Sequence, residues 1–451
     1  MEIEVSQPHL EAKEKKDIYK LSRLYYILES AFQYFIATLV GGAYLASVTK
    51  YIGLSDSTTG IVTSFVSLGW TFQMIAIFIS KNKPCKSWVS TLSILCQIGF
   101  TLIYFVPFFN VSKTAKSVLF IVILLFAHFI MNVVHSHKTN WFMSLVDDKK
   151  RGRFTATKEM VSLLGGMVFT FFCGKVIDYY NDRGDIEASF IFTGICIFVL
   201  TVLHALTLIL SKEKPGESKE NASIAKDVKA LLKNKTLLKI ILVSMLWNAT
   251  YYASNPFLGS YQINELAFSM TFISVLSAVY AVVRSVFSRP MGAFADKFSF
   301  RNMLTLCFTV EALSLLLRVF VVPANGKVLN TVCCALNAIS MAGINSSEIN
   351  LIYDHVSNKE RTGALAIKGT LAGLTGFLTT LLTSRLVDHI QSAGNQFLGL
   401  HLYAQQVVSA VSFILMLITI VYLNTVVKAI AKKAERQTNF FNFGIDKTKK
   451  W

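Results

Sequence analysis

The chain has 451 residues, 53% of them hydrophobic and only 16% charged, against roughly 25% charged in soluble domains. A water-soluble enzyme of this length would lack charge for its surface, and 35 Phe with only 7 Pro argue against a disordered or collagen-like chain. The net charge of +17 admits a nucleic-acid reading, and the placement of the basic residues decides whether it holds.

In chain order, the first 22 residues are polar and of mixed charge. They lack the apolar core of a cleavable signal, so the first apolar block is expected to act as the uncleaved insertion signal. Twelve apolar blocks follow, at about 24–48, 58–80, 87–109, 117–146, 154–177, 186–211, 237–260, 268–293, 303–323, 327–356, 363–388 and 399–427. Each approaches or exceeds the roughly 20 residues that a helix needs to cross the bilayer core. Strand-type alternation is missing, and lipid admits only helices or closed barrels. The expected fold is therefore an all-α polytopic membrane protein with twelve transmembrane helices. The seven cysteines (Cys85, Cys96, Cys173, Cys196, Cys307, Cys333 and Cys334) form no CxxC pair and lie mostly in apolar blocks, so neither a disulfide framework nor a metal site is expected.

If both termini are cytoplasmic, the inner loops and termini hold 32 basic residues and the outer loops 7. That asymmetry is the positive-inside pattern. It explains the net charge as topology and makes nucleic acid an unneeded partner. A shift of 210 residues then pairs the first six blocks with the last six. In the ungapped window 140–178 the identities run from Asn140/Asn350 through Arg151/Arg361, Lys158/Lys368 and Gly166/Gly376 to Asp178/Asp388, 10 in 39 positions, where ordinary composition gives about two or three. The repeat divides the chain into an N-terminal cytoplasmic segment (1–23), a first six-helix bundle (24–211), a central cytoplasmic loop (212–236), a second bundle (237–428) and a basic cytoplasmic tail (429–451). A parallel 6+6 repeat places a substrate site between the halves, near the bilayer midplane.

The loop after the eighth block reads Gly292-Ala-Phe-Ala-Asp296-Lys297-Phe-Ser-Phe-Arg301, and the inner-loop run Lys149-Lys-Arg151-Gly-Arg153 is echoed by Lys359-Glu-Arg361. With the twelve spans and the central loop, these residues resemble the major facilitator superfamily. Ser299 stands where that family usually has Gly, the corresponding first-half loop lacks the Asp, and Leu163-Leu-Gly-Gly166 lacks the Pro of the drug-antiporter motif. The resemblance implies alternating access by two pseudo-symmetric bundles, and a latch in which Asp296 meets the start of the fifth span near Arg151, Arg153 and Phe154. Elementary physics agrees: a carboxylate complements a helix N-terminus, and Gly292 would let two helices approach closely.

Ionisable residues at membrane depth are costly and point to function. Glu29 and Lys138 lie in the inner thirds of the first and fourth spans, and their mates at +210 are Lys239 and Glu348, with inverted signs. Two arrangements are open: Glu29 with Lys138 and Glu348 with Lys239 inside each half, or Lys138 with Glu348 across the interface as a cytoplasmic gate. Either could couple to proton uptake, while Glu29 and Lys239 could also simply snorkel. In the fourth span His128, Asn132, His135 and Thr139 share one face. Asn248, Tyr251, Tyr252 and Asn255 do so in the seventh, Gln33 with Tyr34 beside it in the first, and Asn337, Asn345 and Glu348 in the tenth. Amide, phenol and imidazole groups on these spans suit a hydrogen-bonding solute with a ring face, such as a sugar or nucleoside. Arg284 and Arg318 offer charge to an anionic solute, and Glu311 is read as a structural partner.

The expected function is secondary transport of a small organic solute, driven by an ion gradient, most simply of protons, because no nucleotide-binding pattern exists to use ATP. The protein is expected to act as a monomer in the cell membrane, without a cofactor. Export of drug-like amphiphiles is the alternative, and a non-transporting receptor or a membrane-embedded enzyme belongs to a different class. For the enzyme, the sequence holds no HExxH, no DxD and no nucleophile constellation.

Overall fold

The computed structural model describes residues 17–74, 84–147, 150–214, 230–357 and 360–430. Expectations placed on Lys81, Lys83, Lys149, Lys359, most of the central loop and the basic tail lie outside the described residues.

The first span is broken. α1 (Lys20–Leu39) and α2 (Gly42–Ile52) meet at a 44° bend. Gly42 sits at φ +52°, a left-handed conformation that glycine takes without a Cβ clash. The break leaves the Leu39 carbonyl without a helical donor, and Tyr104 Oη donates to it. The first half continues with α3 (Asp56–Thr63), α4 (Phe65–Thr71), α5 (Lys86–Leu102), a 3-10 turn at Val106–Phe108, α6 (Lys113–Ser144), α7 (Arg151–Asp182) and α8 (Ile186–Leu210). Short polar residues close the helix starts: Ser55 accepts from Thr58 N, Ser112 from Ala115 N and Asp185 from Ala188 N, each satisfying a donor that the first turn leaves free.

The second half holds α9 (Lys235–Asn264), α10 (Met270–Phe298), α11 (Phe300–Arg318), α12 (Gly326–Tyr353), α13 (Arg361–Ser392) and α14 (Ala404–Tyr422), which ends in a π-turn at Leu423–Val427. A two-residue antiparallel ladder, β1 (Gln396–Phe397) with β2 (Leu400–His401), interrupts the expected all-helical pattern between α13 and α14. Among the described residues eight helices are long and apolar enough to cross a membrane, nine if the bent α1–α2 pair counts as one span. Helices also occupy the described parts of the other expected blocks. There α3, α4 and α5 are short, and α9 is diluted by Asn248, Tyr251, Tyr252 and Asn255.

Ile195, Phe198, Val199, Val202, Leu206 and Ile209 of α8 are all exposed. A contiguous apolar face of this extent is at home only against lipid. α7 packs on α10, α4 and α3 on α13, and α2 and α3 on α9. These contacts join the two halves; the face that carries Lys20, Arg151, Lys235, Lys297 and Arg361 is called the basic face below. On the opposite face one buried cluster runs unbroken from Leu45 and Phe100 of the first half to Tyr261, Phe268 and Ile273 of the second.

Candidate functional site

Two cavities flank the α1–α2 break. The first, of about 270 Å³, is lined by Gln33, Gln97, His128, Tyr251, Tyr252 and Asn255, with Phe100 and Pro256 as apolar walls. The second, of about 340 Å³, is lined by Tyr34, Thr38, Gln262, Ser277, Tyr280 and Cys334. Ala37, Gly41 and Gly42 border both. Amides, phenols and hydroxyls supply the polar lining, and no Asp, Glu, Lys or Arg is part of either wall. Gln97 Oε1 and His128 Nδ1 are buried without a hydrogen-bond partner. A buried polar atom left unsatisfied is costly, and both residues belong to the wall of the first cavity.

Of the solute-binding residues expected from the sequence, Gln33, Tyr34, His128, Tyr251, Tyr252 and Asn255 come together on these walls. The others do not. Asn132 donates to the His128 carbonyl at 2.9 Å and Asn248 to the Ser244 carbonyl at 2.9 Å, since an amide on a helix readily satisfies itself one turn back. Asn337 donates to both carboxylate oxygens of Glu311 at 3.0 Å. His135 and Asn345 are exposed, nearer the basic face. Sequence reasoning missed Gln97, a lone polar residue in an apolar helix that forms no spacing pattern, missed Tyr280, and missed Gln262, which lies just past the apolar block at 237–260.

Below the first cavity lies a buried ionic cluster. Lys138 Nζ donates to Glu29 Oε1 at 2.5 Å and to Gln33 Oε1 at 2.7 Å. His204 Nε2 lies 2.9 Å from the same Glu29 oxygen. Gln33 thus belongs both to the cavity wall and to this cluster. His204 was not singled out in the sequence, because it lies in a long apolar block with no charged neighbour. In the second half Glu348 meets Lys368 at 3.2 Å rather than Lys239. Lys239 lies one turn from the basic end of α9, where its side chain is exposed. The cross-interface pair of Lys138 with Glu348 is not formed, since each has its partner within its own half.

The expected latch is likewise open. A Cβ at Gly292 would meet nothing within 4 Å. Asp296 is exposed and makes no hydrogen bond or ion pair to a described residue. Arg301 bonds Asn424 at 3.3 Å and Asn302 at 2.6 Å, within its own half. The same helix-terminus chemistry is found at the other end of these helices. Asp178, at the end of α7, accepts from Met270 N at 2.8 Å and Thr271 N at 2.7 Å, which begin α10. Nearby, Tyr44 Oη and Ser274 Oγ are 2.9 Å apart, and Ser274 donates to the Thr170 carbonyl at 2.7 Å. Asp56 accepts from Asn264 at 2.5 Å and from Gln391 at 2.7 Å. The halves are clasped at this face.

Two apolar helical halves with polar cavities between them, clasped at one face, define a polytopic carrier. A family model described as MFS/sugar transport protein matches residues 74–385, more than half of the chain, and the chain belongs to the major facilitator superfamily. The fold is similar to that of a point mutant of the nucleoside transporter NupG, with a TM-score of 0.69 at 14% identity, covering 89% of this chain and 98% of that one. It is also similar to a D-xylose-proton symporter, with a TM-score of 0.65 at 12% identity over 88% and 97% of the two chains. The inward-open xylose transporter XylE from E. coli gives 0.62 at 10% identity over 88% and 94%. No curated protein sequence matches the chain. It is a multi-pass membrane transporter.

Proposed function

We propose that this transporter carries a small, neutral, hydrogen-bonding solute with a ring face, a sugar or a nucleoside, by proton-coupled alternating access. The observation that carries this reading is the pair of unpartnered buried atoms, Gln97 Oε1 and His128 Nδ1, on a cavity wall without a charged side chain. A hydroxyl or N–H of the solute would satisfy Gln97, and Phe100, Tyr251 and Tyr252 offer faces to a ring. The family's description and the transporters of similar fold agree with this class. The same neutral wall gives a cationic amphiphile no counter-charge, which disfavours the drug-export reading. With the basic face cytoplasmic, the arrangement is inward-facing. The monomer then spans the plasma or inner membrane with both termini in the cytoplasm.

The test is a thermal-shift screen of the purified protein against sugars, nucleosides, organic acids and cationic dyes. A ligand at a hundredfold its Kd adds about 2.7 kcal/mol, enough to read. Stabilisation by a neutral sugar or nucleoside, lost in Gln97→Leu, is the expected result. Stabilisation confined to the acids or the dyes would overturn the reading.

A further inference from the structure

Among the described residues three glutamates are buried within the helices: Glu29, Glu311 and Glu348, at 1%, 2% and 4% exposure. Two of them have a lysine, Lys138 for Glu29 and Lys368 for Glu348. Glu311 on α11 has none. Its carboxylate receives the Asn337 amide at 3.0 Å on both oxygens and the Ser340 hydroxyl at 2.5 Å on one. No Lys, Arg or His lies within ion-pair distance of it among the described residues. The groups facing it are Tyr251 on α9, Tyr280 with Arg284 on α10, Cys307 and Arg318 on α11 itself, and Cys333 on α12. α14, also packed against α11, carries no charged side chain.

We propose that Glu311 is the group that carries the coupling proton, and that Glu29 and Glu348 are ion pairs that hold their halves together. The inference rests on the carrier reading above and assigns its coupling residue. The distinction lies in what each partner can do. A lysine only donates, so a proton on Glu29 would leave the Lys138 ammonium buried without an anion, a costly state, and a proton on Glu348 would take the half-buried Lys368 out of its ion pair. Asn337 and Ser340 both donate and accept. When Glu311 takes a proton on one oxygen, that O–H can donate to Ser340 Oγ, whose own hydrogen turns to the Asn337 carbonyl at 2.9 Å, while the Asn337 amide goes on donating to the other oxygen. The hydrogen bonds around the Glu311 carboxyl are kept in either state, and Arg318, buried farther along the same helix, is not ion-paired to it; no covalent bond other than the O–H forms or breaks. The proton arrives from one side of the membrane and leaves to the other.

The position also links the proton to the cavity. Asn337 and Ser340 lie on the face of α12 toward Glu311, where Ser314 of α11 also donates to the Cys333 carbonyl at 3.0 Å. One residue along, Cys334 lines the second cavity and its thiol donates to the Leu276 carbonyl of α10 at 3.3 Å. A change in how α12 seats on α11 therefore moves a wall of the cavity.

The test is an infrared pH titration of the purified protein, reading the C=O stretch of a buried carboxylic acid. A band that grows as the pH falls is expected in the wild type, absent in Glu311→Gln, shifted but present in Glu311→Asp, and retained in Glu29→Gln and Glu348→Gln. A band that survives Glu311→Gln, or that disappears only in Glu29→Gln or Glu348→Gln, overturns the proposal, as does the lack of any such band. In proteoliposomes, with D-xylose and uridine as probes, an imposed acid-outside gradient should accelerate uptake by the wild type and not by Glu311→Gln. Movement of neither probe would count against the sugar or nucleoside reading, while the infrared result would still judge Glu311.

Discussion

Lys138 is held on both sides by acceptors, the Glu29 carboxylate and the Gln33 amide oxygen. Replacing it with methionine leaves the Glu29 charge with only His204 beside it. Breaking a buried pair from one side costs about 3–5 kcal/mol, so Lys138→Met should lower the thermal midpoint strongly, and the double change with Glu29→Gln should recover most of the loss. A double mutant no more stable than the single one would mean that packing, not charge, sets the cost. The pairing of Glu29 with Lys138 was legible because an ionisable group in an apolar block has to find a partner. The partner of Glu348 was not. The repeat aligns Lys239 with Glu29 in sequence, but Lys239 lies close enough to the helix end to reach water, and Lys368 takes its place. Glu311 stood out only as a charge, since its bonds to Asn337 and Ser340 depend on how α11 rolls against α12.

The broken span shows how a few glycines set the geometry of an element. Gly42 takes a positive φ, and a Cβ built at Gly259 of α9 would collide with the Gly42 carbonyl group. Gly259→Ala has no flexible side chain to displace, so α2 and α9 must separate. The expected outcome is a weakened seal, read as increased reactivity of a cysteine placed at Ala43 toward an impermeant maleimide applied from the clasped face. A titratable group sits at the same seal. Burial, and then the charge of Asp56, raises the Glu265 carboxyl above the ordinary carboxylate range. The closed seal therefore binds a proton more tightly than an open one in which Glu265 is in water. Its penalty is full at pH above the raised value and is relieved as the pH falls through it. Spin labels at Thr58 and His389 should report a shorter, narrower distance distribution on acidification, and Glu265→Gln should remove that dependence. Helix positions were readable from apolar length alone. The break in the first span was not, because the Gly41-Gly42 pair sits in a run that is otherwise continuous.

For the molecule as a whole, the repeat foretold two related halves but not which face is closed, since each conformation of such a carrier uses the same residues with different partners. The closed face is set by Asp178, Asp56 and the apolar cluster between them. Cys334 lies on the second cavity and should react with a thiol reagent supplied from the basic face and stay protected from the other. Asp178→Ala should shift the population toward opening at the clasped face and make Cys334 reactive from there. Unchanged sidedness in that variant would show that the apolar cluster alone keeps the face shut.

The Asp178 clasp is uneven in what it asks of heredity. Its acceptor is a side chain and its donors are main-chain amides, so the codon for Asp178 is constrained while that for Thr271 is free to drift. At position 271 only proline, which has no amide hydrogen, would erase the bond. A saturation survey of the gene should find one narrow position facing one permissive position across the same contact.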